Sequence, residues 1–312
     1  MFNRDANSRR SRRSSEGVVE VSLDFEKLRE TRAANPEAIA AAYKSRKRRE
    51  IIQGDGRLFI VAADHTARGA LGVRGDETAM GNRYELLNNL AIALSNPGVD
   101  GVLATPDILD DLALLGLLEG KLAVASMNRV GLKGAKFEMD DRFASHNFAA
   151  IKREGLDMAK TLTRINFEDE NTAKTLEYTA NAINDAVEAK TPILVEPFIS
   201  KWENGKIVND LSTDATMLSV TIASGLGASS QYTWLKLPVV ENMEKVMAAT
   251  TLPTLLLGGD PVGDPADTYK LWEAALKLPG VRGLMVGRSL LYPQDGDVAG
   301  AIATAVALVH GK

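Results

Sequence analysis

The 312-residue chain has no cysteine, which removes disulfides, thiolate metal ligands and cysteine nucleophiles together. Histidine is nearly as scarce. His65, His146 and His310 are too few and too dispersed to argue for a metal centre, because zinc and iron sites usually draw on several histidines or cysteines. No apolar run approaches a membrane span. The arginines Arg9, Arg10, Arg12 and Arg13 are followed by no apolar stretch of the kind a secretory signal needs. A formal charge of -4 supplies no global attraction to nucleic acid or to an anionic membrane. The expectation left standing is a cytoplasmic protein that needs no cofactor or metal and acts on small metabolites.

What is present is enough apolar material, 45% of the residues, to bury a large core in one α/β barrel or two domains. Residues 1–16 are basic and serine-rich and read as a solvated tail. Residues 17–57 read as an extension carrying a helix over 36–47. Pro36 sits in its first turn, and Lys44, Arg46, Lys47, Arg48 and Arg49 lie towards its end, where the macrodipole favours cations. This helix is expected to plug the bottom of whatever follows.

From Leu58 to the end, short apolar runs alternate with helical patterns, the mark of repeated βα units. Strands are expected at 58–64, 101–106, 122–128, 157–164, 192–198, 232–238, 254–259 and 283–289. Helical spacing covers 83–94, 172–189, 213–224, 241–249, 265–278 and 298–308. Eight such units in 58–312 predict a (β/α)8 TIM barrel in the α/β class. The alternative is an open doubly wound sheet, but the first strand lacks the glycine-rich turn of a dinucleotide fold. The long polar stretch 129–151, after the third strand, reads as a loop able to serve as a lid or a subunit contact.

Active sites of such barrels lie at the C-terminal ends of the strands. The polar residues there are Asp64, Asn128, Lys160, Arg164, Glu196, Lys236 and Arg288, with Gly258, Gly259 and Gly287 closing the last two strands. Lys236 stands in the apolar run Trp234-Leu235-Lys236-Leu237-Pro238, where an ammonium must be paired, solvated in a cavity or deprotonated. Alternation places Lys160, Leu162 and Arg164 on one strand face. If that face is the interior, Lys160 becomes a neighbour of Lys236, and repulsion with desolvation strips a proton from one of them. A neutral lysine attacks a carbonyl and forms an imine, with Glu196 placed to move protons. The competing reading is a buried Lys160–Glu196 ion pair that merely fixes the barrel.

Glycine at the ends of two neighbouring strands lets backbone N–H groups approach an anion, and Arg288 adds a fork suited to phosphate. Asp64 after the first strand is a candidate to hold a substrate hydroxyl or act as base, whereas His65 and Arg68 read equally well as surface loop residues. Asn128 and Arg164 are candidate substrate contacts. As a second anion site, Arg164 suits a bisphosphate, a carboxylate or a sulfonate.

Taken together, these residues resemble the class I, Schiff-base-forming aldolases of the family that contains deoxyribose-phosphate, archaeal-type fructose-bisphosphate and tagatose-bisphosphate aldolases. The resemblance covers nearly everything after Leu58 and implies that Lys236 on the sixth strand forms the imine. The tagatose-bisphosphate branch is most similar, its strand-four lysine and strand-five glutamate matching Lys160 and Glu196. Asp64-His65 resembles the Asp-His-Gly of the archaeal-type enzymes, with Thr66 replacing the glycine. The archaeal-type strand-four tyrosine has no counterpart, Thr163 and Arg164 occupying that neighbourhood. An actinobacterial aldolase-like group is also similar. The resemblance implies a lyase acting on a phosphorylated sugar or keto acid, assembled as a homo-oligomer. Transaldolase-like transfer or condensation on the same imine, or a silent barrel that binds a phosphorylated metabolite, are the alternatives.

Overall fold

In the computed structural model, which describes residues 22–259 and 264–311, eight parallel strands close into a barrel inside a ring of helices. The basic tail at 1–16 lies outside the described residues. The strands are β1 (Leu58–Ala62), β2 (Gly101–Ala104), β3 (Leu122–Ser126), β4 (Met158–Ile165), β5 (Ile193–Glu203), β6 (Lys206–Asn209), β7 (Thr233–Pro238), β8 (Thr254–Leu257) and β9 (Val281–Val286). Their order is β4-β3-β2-β1-β9-β8-β7-β5, closed by pairing of β4 with β5. All eight expected strands exist, and the open-sheet alternative is excluded by this closure.

β6 was not expected. β5 runs on past the barrel rim and folds back as an antiparallel hairpin, Ser200 pairing with Asn209 and Trp202 with Ile207. Its residues Trp202 and Val208 are exposed, so the hairpin carries no buried apolar face to betray it in the sequence.

The helices are α1 (Phe25–Ala34), α2 (Glu37–Ser45), α3 (Arg83–Ser95), α4 (Pro106–Leu114), α5 (Phe148–Glu154), α6 (Asn171–Ala189), α7 (Thr213–Ser224), α8 (Met243–Met247), α9 (Pro265–Leu276), α10 (Arg288–Leu291) and α11 (Val298–His310). Their starts are written locally. Asn82, Ser212 and Asp264 cap α3, α7 and α9 by accepting backbone N–H bonds, and proline opens α4 and α9. None of the helices among the described residues is long and apolar enough to cross a membrane.

Two apolar layers follow from strand alternation. One set of side chains, including Ile60, Leu103, Val124, Met158, Leu194 and Leu255, fills the barrel interior, and the other packs between strands and helices. Because both faces are covered, β1, β2, β3 and β4 are buried along their whole length. Met158 in the interior set places Lys160, two residues on, on the inner side of β4.

The N-terminal extension departs from expectation. α2 ends at Ser45, so Arg46, Arg48 and Arg49 lie beyond it and answer carboxylates under the barrel instead of the helix dipole. The buried Arg46 donates to the carbonyls of Lys121 and Gly155 and to Asp157 Oδ2 at 3.0 Å. Arg48 reaches Asp157 Oδ1, and Arg49 pairs with Asp100. Asp100 and Asp157 also accept the backbone N–H groups of Phe59 and Ala123. The extended segment after the helix thus closes the bottom, with Ile51 packed on the interior layer.

Candidate functional site

The top of the barrel holds a cavity of about 420 Å³. Its floor is a row of buried charges. Glu196, on β5, accepts a hydrogen bond at 2.8 Å from Lys236 Nζ on β7 through Oε1, while its Oε2 pairs with Lys160 on β4. The pairing of Val195 with Leu235 sets Glu196 and Lys236 side by side on adjacent strands. Lys160 is fully buried, and Lys236 and Glu196 are 3% and 7% exposed, so the three groups act on one another with little water between them.

The row continues beneath the floor. Lys160 Nζ lies 3.4 Å from Asp64 Oδ2, and the same carboxylate pairs with Arg129 and receives the Ser126 hydroxyl at 3.4 Å. Asp64 is wholly buried and is not among the lining residues; it pairs with Lys160 and Arg129 through Oδ2, while its Oδ1 has no hydrogen-bond partner. The 3-10 turn Asp64–Arg68 that follows β1 turns the chain and buries this side chain.

Protonation follows from the same geometry. Burial, the largest influence on Glu196, acts to raise it, but Lys160, Lys236 and Arg129 together hold it well below the usual carboxylate range. Burial lowers Lys160 well below the ordinary lysine value, with Arg129 and Lys236 adding to the effect. Lys236 is lowered by burial, opposed by Glu196 and assisted by Arg129 and Arg288. Lys160 and Lys236 flank Glu196, and each disfavours the other's charge, Lys236 standing among the causes that lower Lys160. Burial lowers Arg129 to about 10.

The walls divide by chemistry. Gly258 and Gly259 after β8, and Gly287 with Arg288 after β9, all line the cavity, as does His65. Gly259 adopts φ 66°, which favours glycine, and a Cβ on Gly287 would fall 2.0 Å from the Ala62 carbonyl oxygen, so glycine is required there. Burial, with Arg288 and Lys236 nearby, pushes His65 well below the ordinary imidazole value, leaving it neutral near pH 7. On the other side stand Arg68, Lys133, Glu138 and Arg164, and the β5–β6 hairpin contributes Ile207, Val208 and Asn209.

Two expected substrate contacts also bind other parts of the protein. Asn128 donates to the carbonyls of Asp141 and Leu162 and accepts from the Leu162 N–H, which straps the loop after β3 to β4. Arg164 gives Nε and Nη2 to Asp141 and Nη2 also to the Glu138 carbonyl, so only its Nη1 remains without a hydrogen bond. The loop at 129–147 is thus pinned down over the mouth by buried ion pairs.

Arg129 was missed, and His65 and Arg68 were left undecided. Their sequence signal was position alone, immediately after the first and third strands, where loop and site residues look alike. Among the described lining residues the cations Arg68, Arg129, Lys133, Arg164, Lys236 and Arg288 face two carboxylates, Glu138 and Glu196. Such a cavity attracts anions.

A family model described as Cgl0159-like matches residues 56–306. The crystal structure of Cgl0159 from Corynebacterium glutamicum (Brevibacterium flavum) is 63% identical with a TM-score of 0.90, covering 92% of this chain and 97% of that one. A Schiff-base-forming fructose-1,6-bisphosphate aldolase is 20% identical with a TM-score of 0.63, over 87% of this chain and 100% of that one. An archaeal fructose-1,6-bisphosphate aldolase, solved with its catalytic lysine covalently bound to the carbinolamine intermediate, is 19% identical with a TM-score of 0.63, over 87% and 99%. Likeness at these last two identities is a likeness of fold. No curated protein matches the chain.

Proposed function

We propose that this chain, which belongs to the Cgl0159-like family, is a class I aldolase that makes or breaks a carbon–carbon bond through an imine on Lys236. The observation that carries the reading is Glu196 bridging two buried lysines in the floor of a cation-lined cavity. One carboxylate between two desolvated amines cannot fully compensate both, which favours loss of a proton from one of them.

In the neutral form, the Lys236 Nζ lone pair attacks the substrate carbonyl carbon. The carbinolamine hydroxyl takes a proton relayed through Glu196 and leaves as water, and a protonated imine remains. Removal of the proton from the β-hydroxyl breaks the adjacent carbon–carbon bond, and its electron pair passes to the imine nitrogen as an enamine. Protonation of the enamine carbon and hydrolysis return the free lysine. Lys160, on the second oxygen of Glu196, replaces the proton that Glu196 gives up. Gly258, Gly259, Gly287 and Arg288 hold a phosphate of a sugar or keto acid substrate, and residues 58–312 form the catalytic unit.

Borohydride reduction in the presence of dihydroxyacetone phosphate, glyceraldehyde phosphate or pyruvate, followed by intact mass and peptide mapping, tests the reading. A stable adduct on Lys236 is expected. An adduct confined to surface lysines, or none across a wider set of sugar phosphates, sinks it. The Lys160–Glu196 ion pair favours the second reading, a barrel without turnover that binds a phosphorylated metabolite. That barrel is stabilised by ligand yet never forms an adduct.

A further inference from the structure

We infer that the ligand of this cavity has an anionic group at each end, and that the group received beside β4 is a carboxylate rather than a second phosphate. The inference deepens the aldolase reading and rests on it only for placing the reacting carbonyl between the two ends.

The closed strand order supplies the spacing. β4 and β9 are four strands apart in either direction around the barrel, so Arg164 and the Gly287-Arg288 pair rise on opposite sides of the mouth. β7, which carries Lys236, is two strands from each. A ligand reaching both walls passes over the amine.

The wall beside β4 holds donors that the protein leaves unused. Arg164 is 1% exposed, and its Nη1 has no hydrogen-bond partner, lying 3.8 Å from Glu138 Oε1. Arg68 gives Nη2 to Glu138 Oε1 at 3.0 Å, while its buried Nε is likewise without a partner. Lys133, which also lines the cavity, donates its backbone N–H to the Arg68 carbonyl. Burial and the nearby Arg164 both disfavour the charged form of Arg68, as expected of cations gathered for an absent acceptor. Buried donors left unpaired are costly, and a ligand oxygen at this wall removes that cost.

Charge selects the kind of acceptor. Three cations, Arg68, Lys133 and Arg164, meet two carboxylates, Glu138 and Asp141, leaving an excess of one positive charge. A carboxylate neutralises that excess, whereas a phosphate dianion overshoots it. Two guanidinium N–H groups from different arginines also suit the two oxygens of a planar carboxylate.

Calorimetric titration of the full chain with probes that have no ketone or aldehyde separates this inference from imine chemistry. The probes are 6-phosphogluconate, sorbitol 6-phosphate and sorbitol 1,6-bisphosphate. The first is expected to bind about tenfold tighter than the second, and tighter than the third. Arg68→Gln is expected to shrink the tenfold preference to less than about threefold, with the loss confined to the carboxylate probe. Lys133→Gln, at an exposed position that folding tolerates, reduces it in the same direction and serves if the Arg68 variant misfolds. Equal affinity for 6-phosphogluconate and sorbitol 6-phosphate overturns the inference, as does tighter binding of the bisphosphate, no binding of any probe, or an equal loss for all probes in the Arg68 variant. A carboxylate preference without any borohydride adduct on Lys236 leaves the inference standing and removes only the aldolase reading.

Discussion

The two ends of the barrel treat charge in opposite ways. At the bottom, Arg46, Arg48, Arg49 and His310 meet Asp55, Asp100 and Asp157, and these carboxylates also accept backbone N–H groups at the strand entrances. At the top, cations outnumber carboxylates among the described lining residues, and Arg68 Nε and Arg164 Nη1 have no hydrogen-bond partner. Bottom charges are consumed in closing the fold. Top charges are held against one another by burial and remain available to a ligand. The difference teaches that buried charge in a barrel speaks for function where it opens on a cavity.

Substitutions at each end test this contrast. The largest effect is expected from Lys236→Ala, which should abolish turnover and the borohydride adduct, with Glu196 still paired to Lys160. A variant that keeps even a tenth of wild-type turnover would contradict the role of Lys236. At the bottom, Arg46→Met should do the reverse. It leaves Asp157 half-compensated and costs about 3 kcal/mol in urea unfolding, with kcat per folded molecule unchanged.

Arg288→Ala is expected to weaken phosphorylated substrates by about ten- to a hundredfold in KM and to spare unphosphorylated analogues. Equal losses for both would argue against a phosphate at this wall. The smallest effect concerns pH. Lys236 is lowered, so the neutral amine, and with it the rate of adduct formation, should rise with pH through an inflection below the ordinary lysine value. Arg129→Met removes a like charge that lowers Lys236, so the inflection should move to higher pH. An inflection that stays in place would mean that Arg129 has no part in setting it.

Much of this was legible in the chain and some was not, for identifiable reasons. A lysine among apolar strand residues is conspicuous because burial of charge is expensive, so Lys160 and Lys236 were found along with Glu196. The glycine ends of the last two strands were found because close backbone approach leaves few alternatives to glycine. Asp64, Asn128 and Arg164 are legible as polar residues at strand ends, yet their partners are not. Asp141 and Glu138, which take up Arg164, come from a loop without periodicity, and nothing in a run such as Lys136-Phe137-Glu138-Met139-Asp140-Asp141 says which acid turns inward. The β5–β6 hairpin escaped because exposed edges leave no alternating pattern.

By itself the sequence determined the barrel, its strand register of inward and outward side chains, and the amines that face the interior, because periodicity and the cost of burying charge are local properties of the chain. Only the tertiary structure decided which charges cancel. Glu196 between Lys160 and Lys236, Asp64 beneath them, and the excess of positive charge beside β4 arise from side chains far apart in sequence, and pairing depends on distances that only closure of the barrel sets.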